Sequence, residues 1–267
     1  MKILNIKLVF FCLFSLLCCV EEIDLLLHED EYSKLVIDGM ITNDTTSHKV
    51  YLSKTRPYLS EKPAKKVTEA NVTIKDNKGN IFKLAEKDSG IYKTNNDVYG
   101  VIGKTYTLTI DYDNETYYAE STMKPIPLID SLVYEYDDSR KQYNIILYGK
   151  DPESKNGKYM WNVYVNGKLI TKTIDMINFT NDASLKEGYL INRRPYNYNI
   201  QKYDTVTIET HSITEDAIIF FEGILSEPTF TGNPFETPPA NVQGNISNDA
   251  IGLFFTSGIT RDTLIIK

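Results

Sequence analysis

The chain has 267 residues, 42% hydrophobic and 24% charged, a balance that excludes intrinsic disorder and gives room for one large domain or two ordinary ones. Its formal net charge is −7 and it has no basic tract. That excludes nucleic acid as a partner, because neutralisation of phosphate by Lys and Arg drives such binding. All three cysteines lie at Cys12, Cys18 and Cys19, so the chain beyond Cys19 has no disulfide framework, thiolate metal site or cysteine nucleophile.

The first element is an export signal. Lys2 and Lys7 precede an almost wholly apolar run, Leu8–Cys19, which Glu21, Glu22 and Asp24 end abruptly. A spanning helix needs about 20 apolar residues, so the run is too short to cross a bilayer and fits a secretory signal. Leu16-Leu17-Cys18-Cys19 is similar to a bacterial lipobox, in which a small residue precedes the acylated cysteine. Cys18 is small and Leu17 is not, which selects Cys19 as the lipidated residue. Residues 1–18 are then the signal peptide and residues 19–33 a lipidated, acidic tether. Loss of Lys2 and Lys7 takes the mature chain from −7 to −9. Buried acyl chain contributes ~0.8 kcal/mol per methylene, and two or more chains anchor a protein stably.

Beyond the tether the pattern is all-β: two β-sandwich-like domains, the first immunoglobulin-like, the second with one short helix. The chain has 19 tyrosines, and aromatic and β-branched residues dominate the stretches between turn signals, as strands favour. Residues 34–124 hold about seven short strands. Among them are Leu35–Ile37, Val50–Leu52, Asn71–Lys75, Ile81–Leu84 and a run in which Tyr106, Leu108, Ile110 and Tyr112 share one face. Asp76-Asn77-Lys78-Gly79 and Asp113-Asn114 are hairpin turns. Pro125-Ile126-Pro127 marks the boundary, since proline fixes φ and cannot donate to a ladder. Residues 128–267 form the second domain, with strands at Ser131–Tyr136, Tyr143–Tyr148 and Lys158–Val165. Asn166-Gly167 turns the last of these into Lys168–Thr173, and Thr205–Thr210 is a further strand with Val206 and Ile208 inward. Ser212-Ile213-Thr214-Glu215 reads as a capping box opening a helix. Pro228–Gly258 reads as a tail rich in Pro, Gly and Asn, ending in the strand-like Thr263–Ile266.

Little in the sequence points to chemistry. His28 falls in the tether, and His48 and His211 flank strands in no metal-ligating spacing, which reads as solvated strand ends. Asp111, Asp113 and Glu115 lack the glycine of a calcium loop and read as a polar hairpin tip, as does Asp137-Asp138. No metal or other cofactor is expected, and no enzymatic activity. The candidate partner-binding surface is Arg193, Arg194, Tyr196 and Tyr198, in a Tyr/Arg-rich stretch from Gly188 to Asp204. Tyr and Arg dominate interface hot spots because each combines large contact area with directional hydrogen bonds.

In order along the chain, the lipobox, Leu35-Val36-Ile37-Asp38-Gly39, Val50-Tyr51-Leu52-Ser53, Ala70-Asn71-Val72-Thr73-Ile74, Gly90-Ile91-Tyr92 and Gly103-Lys104-Thr105-Tyr106 form a recognisable series. Tyr118-Ala119-Glu120-Ser121-Thr122, Ile129-Asp130-Ser131, Asn233-Pro234-Phe235 and Asn245-Ile246 complete it. The chain thereby resembles the Bacteroidetes surface lipoproteins classed as domain of unknown function 4249. It departs from that pattern after Asn245-Ile246, where Ser247-Asn248-Asp249-Ala250 replaces paired glycines; Asn and Asp tolerate positive φ, so a turn is still expected there. The resemblance implies an outer-membrane, surface-exposed lipoprotein that serves a TonB-dependent transporter as a non-catalytic binding partner, held on the membrane by its lipid. The alternative is a structural or adhesive surface lipoprotein.

Overall fold

A computed structural model describes residues 33–56, 60, 62–150, 157–173, 178–181, 189–193, 199–226 and 242–267. Cys19 and the tether expected over residues 19–33 lie outside the described residues, apart from Ser33. Strands dominate, and α1 (Glu215–Ser226) is the one helix among the described residues. No helix among them is long and apolar enough to cross a membrane.

Seven strands precede Lys124: β1 (Leu35–Thr42), β2 (Lys49–Lys54), β3 (Asn71–Asp76), β4 (Ile81–Asp88), β5 (Ile91–Lys93), β6 (Thr105–Tyr112) and β7 (Glu115–Thr122). An eighth, β15 (Ile251–Ser257), completes their sheet in the order β15-β1-β2-β5-β4-β3-β6-β7. Every pairing in it is antiparallel except β1 with β15, where Val36 faces Ile251 and Thr42 faces Ser257. The two terminal strands of this order meet. The Ser121 Oγ accepts from the backbone N–H of Thr256 at 2.9 Å, and the Asn245 amide donates to the carbonyls of both Glu120 and Phe254. Residues 245–248 lie along β7: Ser247 N–H donates to Tyr118 O, and Tyr118 N–H to Ser247 Oγ. The sheet thus curls into a near-barrel with its β7 edge covered, which removes a template for unwanted strand pairing.

Period-two alternation fills its interior. Tyr106, Leu108 and Ile110 of β6 point inward with Ile37, Val72, Ile74, Tyr92 and Phe254, all essentially inaccessible. Burying a side chain of this size contributes about 1.5–3 kcal/mol relative to leaving it exposed. The turns are where the sequence put them. Asp113 and Asn114 have φ of 55° and 61°, as a two-residue hairpin turn requires, and Asn248 and Asp249 supply the same conformation, 54° and 57°, without glycine. Asp76, buried at the β3–β4 turn, accepts from the N–H groups of Lys78 and Asn80 and pairs with Lys104 at 2.7 Å. Burial opposes its ionisation, but the pair with Lys104 and the bonds from Asn80 and Lys78 outweigh that and hold it well below the usual carboxylate range.

After Pro125-Ile126-Pro127 come β8 (Ile129–Asp137), β9 (Gln142–Lys150), β10 (Lys158–Val165), β11 (Lys168–Leu169), β12 (Asn178–Asn181), β13 (Tyr189–Arg193), β14 (Thr205–Ser212) and β16 (Ile259–Ile265). They form a three-stranded sheet, β13-β9-β8, and a five-stranded one, β11-β10-β14-β16, with β12 also on β10. Leu147, Tyr159, Trp161, Val163, Val206 and Ile208 are buried between these two sheets. Asn166 and Gly167 both have positive φ, as the hairpin signal requires, though β11 is shorter than the expected Lys168–Thr173.

Two local expectations are corrected. The helix begins at Glu215, and its capping residue is Thr214, whose Oγ1 accepts from Ala217 N–H at 3.4 Å. Ser212 cannot cap it, because it is still paired in β14 and its hydroxyl donates to Lys124 O. The tail expected over Pro228–Gly258 contains β15, whose Leu253 and Phe255 pack against Met160, Ile213, Ala217 and Ile218. This apolar layer joins the outer face of β1 and β15 to the helix and to β10.

Candidate functional site

A cleft of about 550 Å³ opens where the outer face of β1 and β2 meets the outer face of β10, β14 and β16. Its geometry follows from register. On β10 and β14 the residues facing away from the sandwich core alternate with those facing into it. Asn162 is opposite Glu209, and Glu209 opposite Arg261, so three polar side chains from distant parts of the chain form one row across three strands. The opposing wall carries Asp38, Met40 and Thr42 of β1 and Lys49 and Tyr51 of β2, with Phe221 of the helix beside them.

The row is bonded into a network. Arg261 Nε donates to Glu209 Oε2 at 2.6 Å, and its two terminal nitrogens reach the Asp44 carboxylate at 3.0 and 2.5 Å. His211 Nε2 lies 2.7 Å from Glu209 Oε1, and since a carboxylate only accepts, that nitrogen carries the proton. Asn162 Nδ2 donates to the same oxygen at 3.1 Å. Burial works against the Glu209 charge, yet the hydrogen bonds from His211 and Asn162 and the positive charge of Arg261 hold its carboxyl down at about 2. Asn43 adds a second brace, its amide exchanging hydrogen bonds with the N–H and C=O of Ile259.

Both histidines on this face are buried, 4% and 2% exposed for His48 and His211, where solvated strand ends were expected. For His211 the reason is that both faces of β14 are covered, one by the sandwich core and the other by the near-barrel; His48, just before β2, is enclosed by Thr42, Thr94 and Val98. His48 Nδ1 accepts from Thr42 N–H at 3.4 Å and Nε2 donates to Val98 O at 3.1 Å, which together fix the neutral Nε2–H tautomer. Burial pushes its pKa down, in keeping with that assignment. His28 lies outside the described residues.

Asp38 differs from its neighbours. It faces the cleft opposite Tyr51, and no hydrogen bond or ion pair reaches its carboxylate from any described residue. Asp38 is exposed, and the partial loss of hydration inside the cleft raises its pKa.

Behind the cleft wall runs a hydrogen-bonded chain in the order of a hydrolase triad: Ser257 Oγ lies 3.0 Å from His211 Nδ1, and His211 reaches Glu209. A nucleophile must reach its substrate, and Ser257 has no solvent exposure. Its hydroxyl also bonds Gly258 O, and Glu209 is shared with Arg261. The arrangement is a structural brace. Among the described residues no cluster of three or more His, Cys, Asp or Glu is placed to hold a metal ion. The Asp111 carboxylate is occupied by Asn71 and Thr116, and Asp137 by Ser139 and Arg140, as hairpin tips would have it.

Of the residues singled out in the sequence, the backbone of Arg193 ends β13, facing Ile146, while Arg194, Tyr196 and Tyr198 lie outside the described residues, as does Cys19. The cleft residues were missed. Asp38 stands inside a motif noted for resemblance, but nothing local marks it as facing a cleft. Glu209 and His211 looked like the wet side of a half-buried strand.

No curated protein matches the chain. Among solved structures it is similar to a DUF4785 family protein from Legionella pneumophila, at 10% identity and a TM-score of 0.26, over 67% of this chain and 52% of that one. The chain therefore spans about half the length of that protein. It is also similar to a two fibronectin type-III domain segment from chicken tenascin, at 11% identity and a TM-score of 0.22, over 67% of this chain and 90% of that one. The model of one family matches residues 20–263, and the chain belongs to that family, Domain of unknown function (DUF4249).

Proposed function

We propose that the chain is a lipid-anchored, non-catalytic binding protein of a bacterial outer membrane, exposed at the cell surface and partnered with a TonB-dependent transporter. The observation that carries the binding part is the cleft. Its volume falls in the range of about 300–1,000 Å³ usual for small-ligand sites. It combines apolar surface from Met40, Phe221 and Phe255 with a few fixed polar groups. Binding is favoured over chemistry because the buried titratable groups there are committed to one another: Glu209 to His211 and Arg261, and His48 to two backbone groups. The anchor part rests on the lipobox-like Leu16-Leu17-Cys18-Cys19.

The test is affinity purification of the intact lipoprotein from outer membrane, with Cys19→Ala alongside. A transporter should copurify with the wild-type chain, and the Cys19→Ala protein should be unprocessed or released from the membrane. Normal membrane retention of Cys19→Ala would refute the anchor. Recovery of the lipoprotein without any transporter would refute the partnership. An adhesive or structural role makes no use of the cleft, so substitutions lining it would then leave the phenotype untouched.

A further inference from the structure

We propose that the cleft binds an organic cation, a primary ammonium seated on Asp38 with the ligand's apolar body against Met40, Tyr51 and Phe221. This rests on the reading of the cleft as a ligand site and names the ligand's class.

The argument is one of compensation. Three carboxylates line the cleft, Asp38, Asp44 and Glu209, against two permanent cations, Lys49 and Arg261. Arg261 is used up, bonded to Asp44 and Glu209 together. The two imidazoles are also committed, His211 to Glu209 and Ser257, and His48 to the backbone. Lys49 lies on the same face, opposite Met40, but makes no ion pair with Asp38; an exposed lysine keeps its ammonium hydrated at the rim while its stem covers apolar surface. Asp38 is thus the one cleft carboxylate left without a partner among the described residues. The shift in its pKa agrees, since lost hydration is its sole cause and no donor offsets it.

Asp38 is exposed to the cleft, so an incoming cation can reach its carboxylate without displacing a partner from the described residues. An anionic ligand would meet Asp38 uncompensated, and the chain's overall −7 would slow its approach while steering a cation inward. The wall around Asp38 suits the remainder of such a ligand. Tyr51, directly across the β1–β2 ladder, is 40% exposed, and Met40 and Phe221 are partly exposed apolar side chains on the same lining. Aromatic faces attract cations in addition to packing on apolar bodies.

The test uses the full lipidated chain in detergent micelles, titrated by calorimetry with 2-phenylethylamine, 2-phenylethanol and 3-phenylpropionate, which share an aryl body and differ in head-group charge. The amine should bind about tenfold or more tightly than the alcohol, the margin expected when a charged hydrogen bond is made or lost. Asp38→Asn should abolish that preference. Lys49→Met should tighten amine binding by removing a like charge. Since Asp38 makes no bond to any described residue, Asp38→Asn should keep the wild-type melting midpoint; Asp38→Ser serves as a second variant if it does not. Retained amine preference in both variants would overturn the proposal, as would weaker amine binding in Lys49→Met. If the alcohol or the propionate binds as well as the amine, the cleft remains a ligand site and only the cation inference falls. If none of the three binds, both readings fall.

Discussion

The interior of the near-barrel and the polar groups buried behind the cleft are built on opposite principles. The first is predominantly apolar: Ile37, Leu108 and Ile110 need only be hydrophobic and of suitable size. The second buries Glu209, His211 and His48, whose burial is tolerable only because each is bonded. Apolar packing is forgiving of direction, whereas a bonded polar row holds only one register. The near-barrel interior thus supplies stability, and the polar face fixes how β1 and β2 stand against β10, β14 and β16.

The most severe break should come from Glu209→Ala, which leaves Arg261 and His211 without their shared acceptor. Removing one partner of a buried, bonded ion pair costs about 3–5 kcal/mol; Arg261 is part-exposed and keeps Asp44, which puts the loss at the lower end of that range, and the denaturation midpoint should fall accordingly. The same group sharpens the contrast through pH. The folded carboxyl is held at about 2, below the ordinary value near 4.3 of the unfolded chain. Its stabilising contribution is therefore complete above pH ~4.3 and is lost as pH falls toward the folded value. Glu209→Gln should flatten that part of a stability-versus-pH curve from pH 7 to 2. Some slope will remain from Asp76, whose carboxyl is also held low.

On the apolar side, Leu108→Ala should cost about 3 kcal/mol by chemical denaturation, through lost transfer energy and the cavity left in a rigid interior. That value should be independent of pH between 7 and 2, unlike the effect of Glu209→Ala, which shrinks as pH falls below ~4.3. A pH-dependent loss at Leu108 would show that the two regions do not behave separately. The smallest effect is expected at Thr210, whose buried hydroxyl has no partner among the described residues. Thr210→Val preserves shape and removes an unsatisfied group, so stability should be unchanged or rise by about 1 kcal/mol. A loss of more than about 1 kcal/mol would mean that this hydroxyl is bonded after all.

How far the sequence could be read obeys the same division. Alternation at Tyr106, Leu108 and Ile110, and turn chemistry at Asn166-Gly167 and Asp113-Asn114, are local signals that name strands, faces and turns correctly. The same alternation names only the apolar face of β14. Whether the other face meets water depends on strands more than a hundred residues away, which no window of β14 contains. The row of Asn162, Glu209 and Arg261 is invisible for that reason, since it comes into being only when three separated strands adopt one register. β15 was overlooked for a different reason. Its flanking Asn, Gly and Ser residues announce loop, and the apolar run Leu253-Phe254-Phe255 is too short to outweigh them.

The parallel pairing of β1 with β15 also bears on the order in which the chain can fold. A parallel pair cannot be joined by a hairpin, and here the crossover is everything from β2 to α1. Contacts so distant in sequence form slowly, because a long loop must be closed before they return any energy. Until β15 has been made and docked, the β1 edge that it will occupy, Leu35–Thr42, stands open, with its row of backbone donors and acceptors unpaired. Such an edge readily recruits a strand from another molecule. A polypeptide cut short before Ile251 should therefore aggregate through its own first strand, even though that strand and its six successors would be chemically intact.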